Sequence, residues 1–431
     1  MVAFLYNSWI VKAAMDNKNR VVITGMGAVT PIGENVHSSW ESIVSKHHNF
    51  VKYEFDNPLI KSRFFSFLPD NPKRYQHLPK NLTRAMSSCG KNALEAIRQA
   101  FEQSFGQQTS PTEYYDPYEC GVILGSGWGG LDHAIEFGQQ YHQSNLSHPM
   151  SNLITMPSSM TAACSIMYGL KGHQNTLMAA CAAGTIAIGE AYEAIRSGRA
   201  KCMVAGGSES LKEEFSVWSI DVLNALSKEQ TDPDKACCPF DVNRSGFVLA
   251  EGAAVVCLEE YESAVKRGAM ILAEVKGYAH FSDAFSLTKP SDCIEPRALS
   301  MMKAVEQANL VPNDIDYINA HGTSTALNDL QETQAIKVAF GKSAQLIPIS
   351  STKSYTGHLI GAAGSFETIV CVKAMLENCL PATLNLNEVD DKCDLNYLPN
   401  QHKYDANAKV CLNTSAGFGG HNASLVLAKT V

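Results

Sequence analysis

Short, almost wholly apolar runs ending in glycine turns alternate with helix-like stretches along this chain. That alternation limits what the chain can fold into. Arg20-Val21-Val22-Ile23-Thr24-Gly25-Met26-Gly27 reads as a buried strand entering a glycine turn, and Gly121-Val122-Ile123-Leu124-Gly125 as a second, ending in GSGWGG. Further strand candidates lie at 253–258, 271–275, 317–320, 346–350 and 424–427. Residues 38–46, 82–105, 184–196, 298–308, 329–340 and 361–377 read as helices, the second with Leu82, Met86, Ala93, Ile97 and Phe101 at helical spacing. Residues 47–80 read as irregular. Apolar runs without polar alternation belong to strands buried on both faces, and strands alternating with helices predict an α/β fold with buried sheets. No linker, low-complexity tract or short-period repeat divides the chain. Its 431 residues, enough by length for two or three domains, are therefore expected to form one compact unit.

Composition narrows the function. Thirty-five basic against 43 acidic residues leave a net charge of −8, which argues against nucleic acid as a partner. No run approaches the roughly 18 apolar residues of a membrane span, so no membrane association is expected. The first fourteen residues are mildly apolar, but Lys12 follows the apolar part instead of preceding it, unlike a secretory signal. Two readings are open: residues 1–14 are an appendage, or Met15 is the natural start. Thirteen cysteines are the unusual count. None has the C-x2-C spacing of a zinc site or redox dithiol, and many have apolar neighbours, as in Val256-Cys257-Leu258 and Val370-Cys371-Val372. The pattern reads as a reduced, cytoplasmic protein whose cysteines act as small buried hydrophobes.

Four segments depart from that background. In Ala179-Ala180-Cys181-Ala182-Ala183-Gly184, a cysteine stands between an apolar strand and a helix start. Free backbone N–H groups and the helix dipole there favour thiolate over thiol, and small neighbours leave room for a substrate. His321 lies in NAHGTST and His358 in STKSYTGH, each where a strand ends and a glycine-flanked loop begins, the edge at which α/β folds place chemistry. A lone histidine in such a loop is an ordinary hydrogen-bonder; two beside a candidate nucleophile form a constellation. Finally, Ser415-Ala416-Gly417-Phe418-Gly419-Gly420-His421-Asn422 offers free backbone N–H groups and a hinge for an aromatic ring.

Cys181, His321 and His358 in that order, with NAHGTST, STKSYTGH and GFGG, resemble the elongating β-ketoacyl-acyl-carrier-protein synthases of the thiolase superfamily. VVITGMGAVTPIG, MVAGGSES at 203–210, PFDVNRSGFVLAEGAAVVCLEE at 239–260 and GHLIGAAG at 357–364 agree with the resemblance. It implies a thiolase fold, a five-layered αβαβα sandwich of two pseudo-equivalent halves. The expected division is an N-terminal extension at 1–19, a half with the nucleophile at 20–265 and a half with both histidines at 266–431. It also implies decarboxylative Claisen condensation. Cys181 would carry the acyl group, His321 and His358 would stabilise the enolate oxygen, and the N–H groups of Cys181 and Phe418 would form the oxyanion hole. Lys353 and Glu332 would tune the histidines electrostatically, and Asp329 would support the loop. Thr323 and Thr325 would bind the pantetheine amides and Phe418 would gate the site. Lys80 and Arg84 would contact an acidic carrier protein. No metal or other cofactor is implied. The implied partners are acyl carrier protein and a second subunit, either a copy of the chain or a chain-length-factor-like subunit.

Three departures accompany the resemblance. AACAAG lacks the hydroxyl residues usual around the cysteine, and Ala416 stands where a phenylalanine usually precedes the gate. Trp128 falls where the family lines its acyl tunnel, and a tryptophan there would shorten or redirect it. Ala416 and Asn328-Asp329 through Glu332-Thr333 lean towards the ketosynthases of type II polyketide or polyene pathways. A non-enzyme alternative is a silent partner subunit, although such subunits lack the nucleophile. A thiolase needs a second cysteine at 417–422, and the initiating synthases need asparagine in place of His358.

Overall fold

In the computed structural model, which describes residues 18–107 and 109–430, the first apolar run is strand β1, Val21–Val29, with every residue buried. The expectations for residues 1–14 lie outside the described residues. Nine further strands join β1 in one sheet: β2 Cys120–Ser126, β3 Gln174–Met178, β4 Cys202–Glu209, β5 Gly252–Glu260, β6 Ala273–Ser282, β7 Tyr317–Asn319, β8 Ile349–Ser350, β9 Val410–Gly417 and β10 His421–Ala428. Their order is β8-β7-β9-β10-β6-β1-β5-β4-β2-β3.

That order is the same pattern written twice. In the first half β1 pairs antiparallel with β5, β5 antiparallel with β4, β4 parallel with β2 and β2 parallel with β3. In the second half β6, β10, β9, β7 and β8 repeat the scheme, sense for sense. The halves join where Val21–Ile23 of β1 lies antiparallel to β6.

Helices sort into three layers around the two half-sheets. Between them lie α3, Ala183–Arg196, and α6, Ala363–Leu376. Outside the first half lie α1, Ser88–Phe105, and α2, Ser159–Tyr168; outside the second lie α4, Glu295–Gln307, and α5, Ala326–Phe340. Alternation along the strands feeds separate cores. Ile123 joins the central cluster with Ile188 and Phe366, while Val122 and Leu124 join an outer cluster with Ile97 and Phe101. Val426 faces a second outer cluster with Met301 and Ile336, and its neighbours Leu425 and Leu427 face the centre. The layering is α–β–α–β–α, the thiolase fold.

The central helices meet through small residues. A Cβ on Gly184 would lie 2.7 Å from the Gly361 carbonyl oxygen, and one on Gly364 would lie 1.9 Å from Thr185 Oγ1. Each helix follows a three-residue 3-10 turn, Ala180–Ala182 or Ile360–Ala362. Each turn opens on a non-glycine residue in the left-handed region, Ala180 at φ 46° and Ile360 at φ 48°.

Several boundaries differ from the sequence reading. The 82–105 helix is two, Lys80–Thr83 and α1, because Ser87 caps α1 by accepting from the Gly90 N–H at 3.2 Å. Residues 47–80 contain short strands at Val51–Lys52 and Phe64–Ser66. The strand expected over 346–350 keeps only its last two residues, because the N–H groups of Leu346 and Ile347 donate back to the Ser343 carbonyl and close the 3-10 helix Gly341–Gln345. A helix at Leu131–Ser144, absent from the sequence reading, has no fully buried residue, and its Leu131 packs against the apolar cluster that contains Cys181. Among the described residues no helix is long and apolar enough to cross a membrane.

The crossing predicts opposite outcomes for two glycines. Gly364→Ala is expected to destabilise the protein by about 1–3 kcal/mol through overpacking. Gly138→Ala, in the exposed helix where an added Cβ meets nothing within 4 Å, is expected to stabilise it by about 0.5–1 kcal/mol. Urea unfolding of both variants reads the two signs.

Candidate active site

The candidate residues gather at the carboxyl ends of parallel strands, where open α/β sheets form crevices. After β3 the chain turns through Ala180 into the 3-10 turn that leads into α3, and Cys181 is the middle residue of that turn. A left-handed alanine carries about 1–3 kcal/mol of strain. His321 lies two residues past β7, and His358 just past the short helix Lys353–Thr356 that follows β8. The β9–β10 hairpin brings in Phe418. Cys181, His321, His358, Phe418, Thr323 and Thr325 line one cavity of about 520 Å³.

Hydrogen bonding assigns each imidazole its role. Nδ1 of His358 accepts from the Ile360 backbone N–H at 3.2 Å, so the ring proton sits on Nε2. That buried Nε2 has no partner within the protein. Lys353 Nζ lies 3.3 Å from His321 Nδ1, donates to the His321 carbonyl oxygen at 2.5 Å and pairs with Glu367. An ammonium has three donors and no acceptor. Three acceptors surround this one, so His321 Nδ1 accepts and its Nε2 carries the proton. The rings stand 5.4 Å apart and nearly perpendicular, with Phe247 edge-on to His358 at 4.9 Å. Burial holds both imidazoles well below the usual histidine range, and the Lys353 charge adds to it. Two neutral N–H donors therefore serve a cavity that also presents a thiol. Such a pair suits an oxygen that gains negative charge.

The thiol corrects one expectation. The helix-start position predicts a thiolate, but burial pushes Cys181 up to about 12. The Lys353 charge and the N–H groups of Phe418 and of Cys181 itself pull it down without overcoming the desolvation. Those two N–H groups are the ones expected to hold an oxyanion.

Glu332 also stands elsewhere than expected. Its carboxylate accepts from the backbone N–H groups of His321 and Gly322, each at 2.7 Å, and from Thr414 Oγ1 at 3.2 Å. It anchors the histidine loop and does not reach Lys353, whose acidic partner is Glu367 on α6. Glu367 was legible as a lone carboxylate in the apolar helix of GHLIGAAGSFETIV. Both members of the pair are buried, so removing either leaves an uncompensated charge at about 3–5 kcal/mol. Asp329 accepts from the N–H groups of Thr323 at 3.0 Å and Phe240 at 2.9 Å, as a loop support would. Thr323 and Thr325 hydroxyls lie 2.9 Å apart at the cavity.

Phe418 is half-buried in a turn where Gly419 and Gly420 take φ of 83° and 80°. The Gly419 N–H donates to the Leu287 carbonyl at 2.8 Å. Ala416 lines the cavity; Trp128 does not. Trp128 packs instead in the apolar cluster around Cys181, with Phe65, Val217, Ile220 and Phe247. Lys80 and Arg84 are exposed on the short helix Lys80–Thr83, away from the cavity lining.

Two family profiles match the chain: beta-ketoacyl synthase, N-terminal domain, over residues 18–264, and beta-ketoacyl synthase, C-terminal domain, over 272–387. The chain is 37% identical over 420 residues to 3-oxoacyl-[acyl-carrier-protein] synthase 2 of Synechocystis sp., covering 96% of this chain and 98% of that protein. It is 36% identical to the enzyme of the same description from Vibrio harveyi, covering 96% and 99%. Among solved structures it resembles a beta-ketoacyl synthase from Burkholderia phymatum STM815 with TM-score 0.87 and 34% identity. It also resembles a type II PKS acyl-carrier protein complex with its ketosynthase bound to the hexaketide, with TM-score 0.85 and 32% identity. Each match covers 96% of this chain and all of the other.

Iodoacetamide alkylation of Cys181 in the substrate-free protein, followed on its peptide by mass spectrometry, is expected to rise about tenfold per pH unit from pH 7 to 9. No plateau is expected, since the thiol titrates near 12. Lys353→Met removes a charge that lowers that value, so it slows the reaction at every pH. A plateau below pH 8 contradicts the assignment.

Proposed function

This chain belongs to the beta-ketoacyl synthase family, and from that premise we propose that it is a 3-oxoacyl-[acyl-carrier-protein] synthase, elongating acyl chains in fatty-acid or polyketide synthesis. Cys181 exchanges its thiol proton for an acyl group from a carrier thioester, releasing the carrier thiol. Malonyl-carrier protein then enters. Its carboxylate leaves as CO2, and the bonding pair passes into an enolate whose oxygen is held by the Nε2–H groups of His321 and His358. The enolate carbon attacks the Cys181 thioester carbonyl, whose oxygen is held by the N–H groups of Cys181 and Phe418. The carbon–sulfur bond breaks, Cys181 leaves as thiolate and takes a proton from water to regenerate the thiol, and the 3-oxoacyl chain departs on the carrier. Splitting the transfer through a covalent intermediate replaces one hard step with two easier ones.

The observation that carries this reading is the pair of neutral imidazole donors sharing a cavity with the thiol. A donor cannot take a proton, but it can stabilise an anion, and decarboxylation needs the second. Thr323 and Thr325 bind the pantetheine amides and Phe418 gates the site. Lys80 and Arg84 give an acidic carrier a local basic contact on a chain of net charge −8. No metal or other cofactor is required. The free cysteines, twelve of them buried and Cys293 exposed, support a reducing, cytoplasmic setting. Cys181 beside both histidines disfavours the silent-subunit alternative.

A second ketosynthase-fold subunit covers the free edge of β3. Met178 on that edge and Ile166 on the adjoining α2 are exposed at 47% and 70%, and an unpaired edge beside apolar side chains is a template for strand pairing. The partner is a second copy of the chain or, as in the solved ishigamide ketosynthase/chain length factor of 27% identity, a chain-length-factor-like subunit.

Incubation with acyl-carrier proteins is expected to add the acyl mass to the Cys181 peptide and to permit malonyl-dependent condensation. Cys181→Ala loses both. Condensation that survives this substitution sinks the mechanism. Light scattering of the chain alone is expected to give a dimer that Met178→Lys converts to monomer; a parent monomer points to the heterologous partner.

A further inference from the structure

One buried cation is left over by this mechanism. Arg297, in the first turn of α4, lines the same cavity as Cys181 and the two histidines and is only 7% exposed. Its Nε donates to Asn422 Oδ1 at 3.2 Å, and its Nη1 donates to Asn328 Oδ1 at 3.1 Å and to the Asn328 carbonyl at 3.3 Å. All three acceptors are neutral. Its Nη2 makes no hydrogen bond among the described residues, and none of their carboxylates lies within 4 Å of the guanidinium. Arg74, Arg244 and Arg267, buried to a similar degree, pair with Glu34, Asp390 and Glu259.

The nearest acids are committed elsewhere. Asp283 accepts from Asn422 Nδ2 at 2.7 Å, Glu332 from the His321 and Gly322 N–H groups, and Asp329 from those of Thr323 and Phe240. Their charges act on Arg297 from farther off, and burial outweighs them, holding the guanidinium below the ordinary arginine range. Two asparagine oxygens could be held by an uncharged donor, so the bridge from α4 to α5 and β10 does not call for a charge. A buried cation without an anion is costly, and the cost falls when an anion arrives beside it. Asn328 follows Thr325 by three residues and Asn422 follows Phe418 by four, so Arg297 stands between the hydroxyl-bearing loop and the gate. Of the two groups that enter the cavity in the proposed cycle, the acyl thioester is neutral and the malonyl thioester ends in a carboxylate.

We propose that Arg297 binds the carboxylate of the malonyl extender through the open end of its guanidinium, and so selects the second substrate. The inference rests on the ketosynthase reading above. The contact belongs to the bound substrate alone. When the carbon–carbon bond breaks, its electron pair passes to the enolate held by His321 and His358, the carboxylate becomes neutral CO2, and the guanidinium loses its hold on it. Such a contact strengthens binding without speeding the chemical step.

The test is steady-state kinetics of the full-length protein, with malonyl-carrier protein varied at saturating octanoyl-carrier protein. Arg297→Met is expected to raise KM for malonyl-carrier protein about tenfold or more, the scale of a lost charge-assisted hydrogen bond, with kcat changed by less than about twofold. Octanoylation of Cys181, followed by the mass of its peptide, is expected to keep the parental rate, because that substrate brings no carboxylate. An unchanged KM overturns the inference. So do equal losses in both half-reactions with a lower melting temperature, which mark a purely structural bridge. A loss confined to acylation by glutaryl-carrier protein assigns Arg297 to carboxyl-ended acyl chains and overturns the extender assignment. If Arg297→Met fails to fold, Arg297→Lys keeps the charge but loses the planar fork, and a smaller rise in KM at constant kcat is required. A parent protein that condenses no malonyl group overturns the ketosynthase reading instead.

Discussion

The close approach of the two central helices is the constraint on which the rest of the molecule depends. Cys181 stands in the turn that leads into α3, and His358 stands just before the turn that leads into α6. Only because Gly184, Gly361 and Gly364 admit backbone and hydroxyl atoms at van der Waals distance do the two turns share a cavity. A larger side chain at the crossing separates the nucleophile from its hydrogen-bond donors before it alters either one. Packing and chemistry are therefore one requirement here, and any gap that weakens dispersion attraction at the crossing loosens the site as well.

Burial then settles the charge states. Desolvation opposes the charged forms of the three reacting groups: the thiol is held up and both imidazoles are held down. Behind His321, three acceptors surround Lys353 Nζ, the Glu367 carboxylate among them. A site whose thiol and imidazoles are neutral before substrate binds places their strongest electrostatic response on charge that develops during the reaction.

Much of this could be read from residues alone. Long apolar runs identified β1, β2 and β5, and the cysteine and histidines were marked by their position at strand ends. Some elements that escaped bury little or are very short. The Leu131–Ser144 helix has no fully buried residue, and the strands at Val51–Lys52 and Phe64–Ser66 lie in a stretch read as irregular. Charge networks were the weakest point. Glu332 entered the charge network through the family resemblance, but the acid that reaches Lys353 is Glu367, because pairing is decided by which helix packs behind the lysine. The thiolate expectation failed because a helix start can be read locally and burial cannot. The duplication shows in sequence only as ACAAGT at 180–185 and IGAAGS at 360–365. Small residues at a crossing carry little information beyond their size, so the repeat emerges only from the strand order.

In that repeat Gly361 occupies the place of Cys181, and Ile360 the place of Ala180. The left-handed kink kept in both turns serves one of them by directing a main-chain amide at a ring nitrogen. An amide neither gains nor loses a proton at any pH a cell meets. The tautomer of His358 is therefore insulated from the surroundings that ordinarily govern a histidine, and the donor it presents to substrate is as constant as the backbone that sets it.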